Sequence, residues 1–311
     1  MHVVRNSPGA QLNAAAARCT NPRASVCADS VVYRVLCMCL LCWLQGCSSP
    51  WVRMNHRAEQ AGVTRHIVAG AGFSHTIFVK AAMNAITMTP PLDATMPVFI
   101  EGDGMPWRNY GWQPNPDPRP DHALAFNLFL QTPGNAWYIT RPCYDDSLTD
   151  AACNSLVWTD ARYSAANVDS MVAALRRFAA EQQVQRLLLV GYSGGGALAV
   201  LIAARMSEVQ GVITLAANLD QVAWTQVHHY SPLHGSLNAA TDTGNLSVPH
   251  LALHGRRDDN VPLATLSGFA ATHPATQWRY VDEYDHVCCW EHDWLKLWPE
   301  ALQRLVTSSE H

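Results

Sequence analysis

Three residues that together can perform nucleophilic catalysis follow one another along this chain. Ser193 lies in the middle of the sequence Gly-Tyr-Ser-Gly-Gly, and Asp258 and His286 come after it. A serine hydroxyl needs a base to take its proton, and a histidine base needs an acid that fixes its tautomer. The chemistry of this set would be acyl transfer, with Ser193 as nucleophile, His286 as base and Asp258 orienting and stabilising the imidazolium.

The residues around Ser193 predict a sharp turn between a strand and a helix. The run 187–190 is apolar, and the small-residue stretch 197–204 follows the serine closely. In that context Gly-x-Ser-x-Gly is typical of a nucleophile elbow, where the serine has a strained backbone and the glycines remove Cβ atoms that would clash. The hydroxyl then lies beside a helix N-terminus, whose free N–H groups favour developing negative charge.

The acid and the base are chosen from neighbouring residues by their place after predicted strands. Asp258 stands three residues after a glycine and four before a proline, and we prefer it to Asp259, which we expect to be a solvated turn carboxylate. His286 lies in the loop after the last predicted strand, whereas His292 falls in the helix that follows. Asp220, after an earlier strand, is the runner-up acid. The carboxyl ends of parallel strands would bring the chosen residues to one edge.

These motifs, in the order serine, aspartate, histidine, resemble the α/β-hydrolase family over roughly residues 65–306. The resemblance implies an α/β fold with a mostly parallel central sheet and helices on both faces. Apolar strands that alternate with helices indicate the same architecture, and residues 65–80 predict an antiparallel hairpin at its edge. The resemblance to this family also implies a serine hydrolase, most similar to esterases and lipases. Such an enzyme needs no cofactor and acts on a small ester or acyl substrate.

The same resemblance implies an oxyanion hole made of two backbone N–H groups. The elbow supplies the N–H of Gly194, and the second comes from Asp103 or Gly104. These two residues belong to the sequence Glu-Gly-Asp-Gly, which stands where many lipases and esterases carry His-Gly-Gly-Gly. Carboxylates in an oxyanion hole would oppose catalysis, so we expect Glu101 and Asp103 to turn away, unless they recognise a cationic or hydroxyl-rich part of the substrate.

Local signals predict the remaining elements. Asp121 can cap a helix that extends to residue 131, and Ser164 can cap a strongly periodic helix. The proline-rich stretch 105–120 is predicted to lack regular structure, and the closing helix over 290–306 to be disturbed at Pro299.

Two loops are expected to shape the substrate pocket. One is the loop near residues 107–112, and the other is the long connection 218–247, where relatives often insert a lid. Candidate pocket residues are Trp107, Tyr192, Trp224 and His228. The sequence His-His-x-x-x-x-His, which begins at His228, lacks the further ligands of a metal site, so we interpret its histidines as polar loop residues and predict no metal.

The N-terminal residues predict an exported protein. The apolar run 35–44 is too short to span a bilayer and suits a signal peptide over 31–46. Leu-Gln-Gly-Cys at 44–47 resembles the lipobox of bacterial lipoproteins, which implies a lipid on Cys47, a membrane anchor and a location facing the periplasm. Residues 47–64 are interpreted as a tether before a hydrolase domain over 65–311. Residues 1–30 are interpreted as an extension from a start codon placed too far upstream.

Export bears on the cysteines of the body. Cys143 and Cys153 are ten residues apart and could form a disulfide. The sequence leaves open whether the adjacent Cys288 and Cys289 pack as small apolar residues or form a vicinal bond.

Composition excludes some classes of function and leaves others open. With 311 residues, 49% of them hydrophobic, the chain can bury a sizeable core. A net charge of −4 without a long basic run argues against nucleic-acid binding. A peptidase or acyl-peptide hydrolase with the same three residues, and a lipoprotein that only binds a ligand, remain alternatives to an esterase. The sequence does not indicate an oligomeric state.

Overall fold

The computed structural model describes residues 49–81, 95–109, 111–244 and 246–308. These residues belong to one compact unit that begins at Ser49. The extension at 1–30, the signal peptide at 31–46 and Cys47 lie outside the described residues.

The described part of the chain alternates strands and helices. Its helices are α1 (Pro50–Gln60), α2 (Leu124–Gln131), α3 (Ala165–Glu181), α4 (Gly194–Ala203), α5 (Gln221–Val227), α6 (Ala239–Asp242), α7 (Ser267–Thr272) and α8 (Trp290–Ser308). Its strands are β1 (Thr64–Ala69), β2 (Ser74–Lys80), β3 (Thr95–Ile100), β4 (Trp107–Arg108), β5 (Gln113–Pro114), β6 (Ala136–Ile139), β7 (Arg186–Tyr192), β8 (Val209–Leu215), β9 (His250–Gly255) and β10 (Gln277–Val281). Three short 3₁₀ turns lie at Asp146–Thr149, Ser155–Val157 and Leu263–Leu266.

Eight strands form one sheet in the order β1-β2-β6-β3-β7-β8-β9-β10. Neighbouring strands from β6 to β10 pair in parallel, while β2 pairs antiparallel with both β1 and β6. The mostly parallel α/β sheet and its antiparallel edge hairpin are therefore confirmed. Because β7 lies inside the sheet with β3 and β8 on either side, its C-terminal end is supported from both directions.

Two apolar cores lie on opposite faces of this sheet. Helices α3, α4, α6 and α7 contribute to one core, and α1, α2 and α8 contribute to the other. The residues of β7 alternate between them, with Leu187 and Leu189 in the first core and Leu188 and Val190 in the second. This alternation follows the two-residue period of a strand and explains why the run before the serine is continuously apolar.

Two helix predictions meet different outcomes. Ser164 caps α3 as predicted, because its side chain accepts a hydrogen bond from the N–H of Asn167 at 3.2 Å. The helix predicted to be disturbed at Pro299 does not end there, since α8 continues through the proline. Trp294, Trp298 and other residues of this helix are buried against the sheet, and this packing outweighs the hydrogen bond that proline cannot donate.

The segment interpreted as a tether contains a helix. In α1, Ser49 accepts a hydrogen bond from the N–H of Val52, and a proline occupies the first helical position. Trp51, Met54 and Ala58 lie on one buried face. The expectation of an irregular tether over 47–64 is therefore corrected, because three apolar residues at helical spacing suffice to dock an otherwise polar helix.

The predicted cap of α2 is also corrected. Asp121 is exposed and pairs with Arg53 at 2.8 Å, three residues before the helix begins. The N–H groups of Ala125 and Phe126 donate instead to the buried carboxylate of Glu101, at 3.3 and 3.2 Å. A carboxylate from a strand end, distant in sequence, thus satisfies the first turn of this helix.

Both segments predicted as loops contain short elements of regular secondary structure. Strands β4 and β5 form a short antiparallel ribbon inside 105–120, and 218–247 contains α5 and α6. Within the described residues, none of the helices has both the length and the apolar character that crossing a membrane requires.

Candidate active site

Ser193 lies at the turn between β7 and α4 in a strained conformation. Its backbone angles are φ 52° and ψ −123°, which residues with a side chain rarely adopt. A Cβ atom on Gly191 would collide with the backbone of Gly195, and one on Gly195 would collide with the carbonyl oxygens of Ile100 and Glu101. Only glycine fits at both positions, so the elbow sequence follows from the close approach of helix and strand.

The structure brings the three sequence-predicted residues into one hydrogen-bonded row. Nε2 of His286 lies 3.0 Å from Oγ of Ser193, and Nδ1 of His286 lies 3.0 Å from Oδ2 of Asp258. The Asp258 side chain is fully buried and accepts hydrogen bonds from the N–H groups of Asn260 and Val261 at 3.0 and 2.7 Å. These bonds fix the carboxylate, which in turn can hold the imidazole with Nε2 toward the serine.

The rejected alternatives lie elsewhere. His292 is 87% exposed and contacts Asp293, its neighbour in α8. Asp259 is exposed, and Asp220 caps α5 and accepts a hydrogen bond from Asn238 at 2.9 Å. Within the described ranges, His286 and Asp258 are the histidine and the carboxylate that form the row with Ser193.

The loop that carries His286 is fixed by two aromatic side chains. The hydroxyl of Tyr192 donates to the carbonyl oxygen of His286 at 3.1 Å, and Nε1 of Trp290 donates to the same oxygen at 3.2 Å. The rings of Tyr192 and His286 are 5.2 Å apart. Tyr192, predicted as a pocket residue, therefore also positions the histidine loop.

The oxyanion side of the site comprises the loop after β3 and the start of α4. A Cβ atom on Gly102 would lie 3.2 Å from Cβ of Ser193, so this loop passes directly beside the serine. Among the residues described, the N–H groups of Asp103, Gly104 and Gly194 have no hydrogen-bond acceptor. Gly104 has φ +65°, and a Cβ atom there would collide with Pro118. Of the two predicted second donors, Asp103 lies closer in sequence to the Gly102 contact.

The carboxylate of Asp103 is held by three partners that the sequence did not indicate. It accepts hydrogen bonds from Nη1 of Arg141 at 2.6 Å, from Nη1 of Arg162 at 2.9 Å and from the hydroxyl of Tyr163 at 2.6 Å. Burial alone would raise the pKa of Asp103, but the two guanidinium groups and the tyrosine hold it well below its usual range. We call these three charged residues, Arg141, Asp103 and Arg162, the Arg-Asp-Arg cluster.

This carboxylate does not turn away from the elbow as expected. A Cβ atom on Gly194 would collide with Oδ1 of Asp103 and with the hydroxyl of Tyr163. The cluster therefore packs against the first residue of α4. Its formal charge is positive, because two guanidinium groups face one carboxylate. The negative charge that seemed to oppose catalysis is thus more than compensated.

Glu101 is directed away from the serine, toward α2. Burial raises its pKa to about 7, although hydrogen bonds from the N–H groups of Gly102, Phe126 and Ala125 act in the opposite direction. Because it serves as the cap of α2, it is not free to bind a substrate.

Ser193 opens into a cleft of about 250 Å³. Of the four predicted pocket residues, Tyr192 and Trp224 border this cleft, and Trp107 borders a neighbouring cavity instead. His228 borders neither, and its Nε2 lies 2.8 Å from the carbonyl oxygen of Asn260. Gly102, Arg162 and Asn218 border the cleft without having been predicted. The N–H of Asn218 donates to the carbonyl oxygen of Ser193 at 3.3 Å.

The segment interpreted as a lid is attached to the loop of the acid. Nε1 of Trp224 donates to the carbonyl oxygen of Asn260 at 2.7 Å, the same oxygen that His228 contacts. Helix α5 therefore forms a wall of the cleft that is bonded to the Asp258 turn. No group of three or more His, Cys, Asp or Glu side chains suited to a metal ion occurs in the described part of the chain.

Both cysteine pairs of the body are joined. Cys143 and Cys153 form a disulfide with their Cα atoms 5.7 Å apart, and Cys288 and Cys289 form a vicinal disulfide across a cis peptide bond. The first bond lies in the loop after β6, which also contains Arg141 of the cluster.

Comparison with known proteins identifies the fold. No protein-family model and no curated protein matches this chain. A bacterial membrane phospholipase A is similar in structure, with a TM-score of 0.54 and 13% identity, over 91% of this chain and 99% of that protein. An acylaminoacyl peptidase of Pyrococcus horikoshii has a TM-score of 0.56 and 10% identity, over 78% of this chain and 41% of that protein.

An esterase of Pyrococcus furiosus has a TM-score of 0.55 and 11% identity, over 80% of this chain and 92% of that enzyme. At such low identity these likenesses concern the fold alone. Together with the strand order and the elbow, they show that the chain has the α/β-hydrolase fold.

Proposed function

We propose that this chain, an α/β-hydrolase by fold, is a serine hydrolase that cleaves carboxylic esters through an acyl-enzyme on Ser193. The observation that carries the proposal is the hydrogen-bonded row from Ser193 through His286 to Asp258, with both links at 3.0 Å. A ligand-binding protein would have no need of a strained serine, an aligned histidine and a buried acid together.

The mechanism follows from these contacts. Oγ of Ser193 attacks the carbonyl carbon of the ester while Nε2 of His286 takes its proton, and Asp258 stabilises the imidazolium. The N–H groups of Gly194 and Asp103 donate to the oxyanion. His286 then returns its proton to the leaving alcohol, and the acyl group remains on Ser193. A water that gives its proton to His286 hydrolyses this acyl-enzyme and regenerates the serine.

The Arg-Asp-Arg cluster favours ester cleavage over the removal of residues from a peptide's amino terminus. A free carboxylate at Asp103 would suit a positively charged amino group, but Arg141 and Arg162 already pair with it. Two similar structures are named a phospholipase A and an esterase, and one is named an acylaminoacyl peptidase. The neutralised Asp103 is the reason to place the ester first.

A matched pair of substrates tests this proposal. The purified protein should hydrolyse p-nitrophenyl acetate, and Ser193→Ala should lower kcat at least about 10³-fold. The anilide of the same acid should react far more slowly than the ester. Equal turnover by wild type and Ser193→Ala would refute the serine mechanism, and preferential cleavage of the anilide or of an N-acyl peptide would favour the peptidase alternative.

We also propose that the protein is exported and carries a lipid on Cys47, facing the periplasm. The support comes from the apolar run 35–44 and the sequence Leu-Gln-Gly-Cys. The first helix of the body, α1, begins at Pro50, three residues after Cys47 in the sequence. Metabolic labelling with an alkyne fatty acid in a bacterial host should mark the wild type and not Cys47→Ser. Labelling of both would contradict the assignment.

A further inference from the structure

A second cavity, here called the side groove, adjoins the Ser193 cleft. It has a volume of about 740 Å³ and lies between the loop that contains β4 and the segment that follows α5. Four residues border both the cleft and the side groove, namely Gly104, Pro106, Arg162 and Trp224. The two spaces therefore adjoin along these four residues, and the side groove is the cavity next to the place where a substrate would bind at Ser193.

The walls of the side groove are mostly apolar and aromatic. They include Met105, Pro106, Trp107, Trp224, Tyr230 and Leu233. The rings of Trp224 and Tyr230 meet edge to face at 5.2 Å, and 55% of Tyr230 is exposed. Asp160 and Ser231 also border the groove, while the guanidinium group of Arg162 is paired with Asp103. An exposed concave surface of this composition favours an aliphatic occupant.

The position of His286 decides which part of an ester would enter the side groove. The leaving oxygen must lie near His286, because that residue protonates it. His286 borders the cleft and does not border the side groove. The groove begins at Gly104, the residue after Asp103, whose N–H is a proposed donor to the oxyanion. The acyl group, which extends from the carbonyl carbon away from the leaving oxygen, is therefore the part directed toward the groove.

We propose that the side groove binds the acyl chain of the substrate, and that the preferred substrates are esters of aliphatic acids longer than acetate. This inference rests on the proposed ester cleavage and names the substrate class for the same site. The alcohol part of the substrate lies on the His286 side, outside the side groove.

Two substrate series test the direction. Across p-nitrophenyl esters from acetate to octanoate, kcat/KM should rise by about fourfold for each methylene that the groove buries. Across alkyl acetates of increasing alcohol length, kcat/KM should change little. A flat acyl series, or a rise in the alcohol series instead, would overturn the assignment of the groove.

A matched pair of tryptophans tests the location. Trp107 borders the side groove, whereas Trp112 belongs to the same ribbon segment, is 84% exposed and borders neither cavity. Trp107→Ala should lower the octanoate-to-acetate ratio of kcat/KM by about tenfold, and Trp112→Ala should leave it within about twofold. The ratio is taken within each variant, so a loss of folded protein cancels.

Equal effects of the two substitutions would refute the groove as the acyl site. This failure differs from a failure of the proposed function. In the first case Ser193-dependent hydrolysis of acetate persists without a preference for longer chains. In the second case no ester is hydrolysed in a Ser193-dependent way, and the groove then has no acyl chain to bind.

Discussion

At Asp103 a carboxylate stands beside the place where a reaction at Ser193 would develop negative charge. Arg141 is almost completely buried, and the Asp103 side chain is only 16% exposed, so their ion pair is little screened by solvent. The carboxylate of Asp103 packs on Gly194, and the backbone N–H of Asp103 is the second donor of the proposed oxyanion hole. Its side chain therefore acts as a positioning group for that N–H, and it touches no reacting atom.

Replacing Asp103 by Asn tests this positioning role. Asparagine keeps the shape but leaves Arg141 and Arg162 without their counter-charge, which should lower stability by about 3 kcal/mol. We expect kcat for an ester to fall about 10- to 100-fold, because a displaced N–H stabilises the oxyanion less. The KM for an uncharged ester should change little.

The control is Asp121→Asn, which removes an exposed carboxylate paired with Arg53. It should alter neither kcat nor stability measurably. A purely structural role of Asp103 would be indicated if Asp103→Asn lost stability while kcat per folded molecule stayed at the wild-type value.

At the scale of elements, helix α1 makes the N-terminal boundary of the body. Trp51 packs edge to face on Phe78 of β2, with ring centroids 5.7 Å apart, and its Nε1 donates to Asp146 at 2.6 Å. The helix thereby covers one face of the sheet near its edge hairpin. A segment that the sequence presents as a polar tether is part of the core.

Trp51→Ala should destabilise the protein by about 3 to 5 kcal/mol, because it removes a large buried side chain. Val52→Ala in the same helix is the control, since Val52 is 55% exposed and should change stability by less than about 0.5 kcal/mol. Urea unfolding of both variants measures the difference. Equal stability of the two would mean that α1 contributes nothing to the folded body.

The elements around Ser193 could be predicted because each has a strong local signal. The apolar run before the serine, the glycines of the elbow and the periodicity of α3 depend on neighbouring residues alone. The partners of Asp103 could not be predicted, since Arg141 and Arg162 lie in a long loop without periodicity. Likewise, the cap of α2 comes from Glu101, and no local sequence pattern connects a strand end with a helix so distant along the chain.

Across the whole molecule, the two ends of the parallel strands have different roles. The C-terminal ends of β7, β9 and β10 are followed by Ser193, Asp258 and His286. At the opposite end of the strands, His250 is the first residue of β9. There His250 lies between the hydroxyls of Thr214 and Thr276, at 3.0 and 3.2 Å. Burial lowers the pKa of His250 to about 3, and the nearby His273 acts in the same direction.

This lowered pKa predicts acid lability. Below pH 6.5 the unfolded chain binds a proton at His250 that the folded chain does not bind. The stability that neutral His250 contributes is therefore fully present above pH 6.5 and is lost as the pH falls toward 3. Burial also lowers the pKa of His75 and His254, which adds to the effect. Glu101 acts oppositely, because its raised pKa contributes stability that is lost as the pH rises from 4.5 through 7.

His250→Asn separates these contributions. The difference in unfolding free energy between wild type and variant should shift by about 2 kcal/mol against the wild type when the pH is lowered from 7 to 5. The measurement is urea unfolding at both pH values. An identical difference at pH 7 and pH 5 would show that His250 is not held neutral by the fold.

The central claim is that His286 activates Ser193 as a nucleophile. Reaction of the folded protein with a fluorophosphonate, followed by peptide mass spectrometry, tests it most directly. The phosphonyl group should be found on Ser193, at a rate that falls at least about 10³-fold in His286→Ala and stays within about twofold of wild type in His292→Ala. Absence of the modification from Ser193 in folded protein, or equal rates in the two histidine variants, would contradict the account.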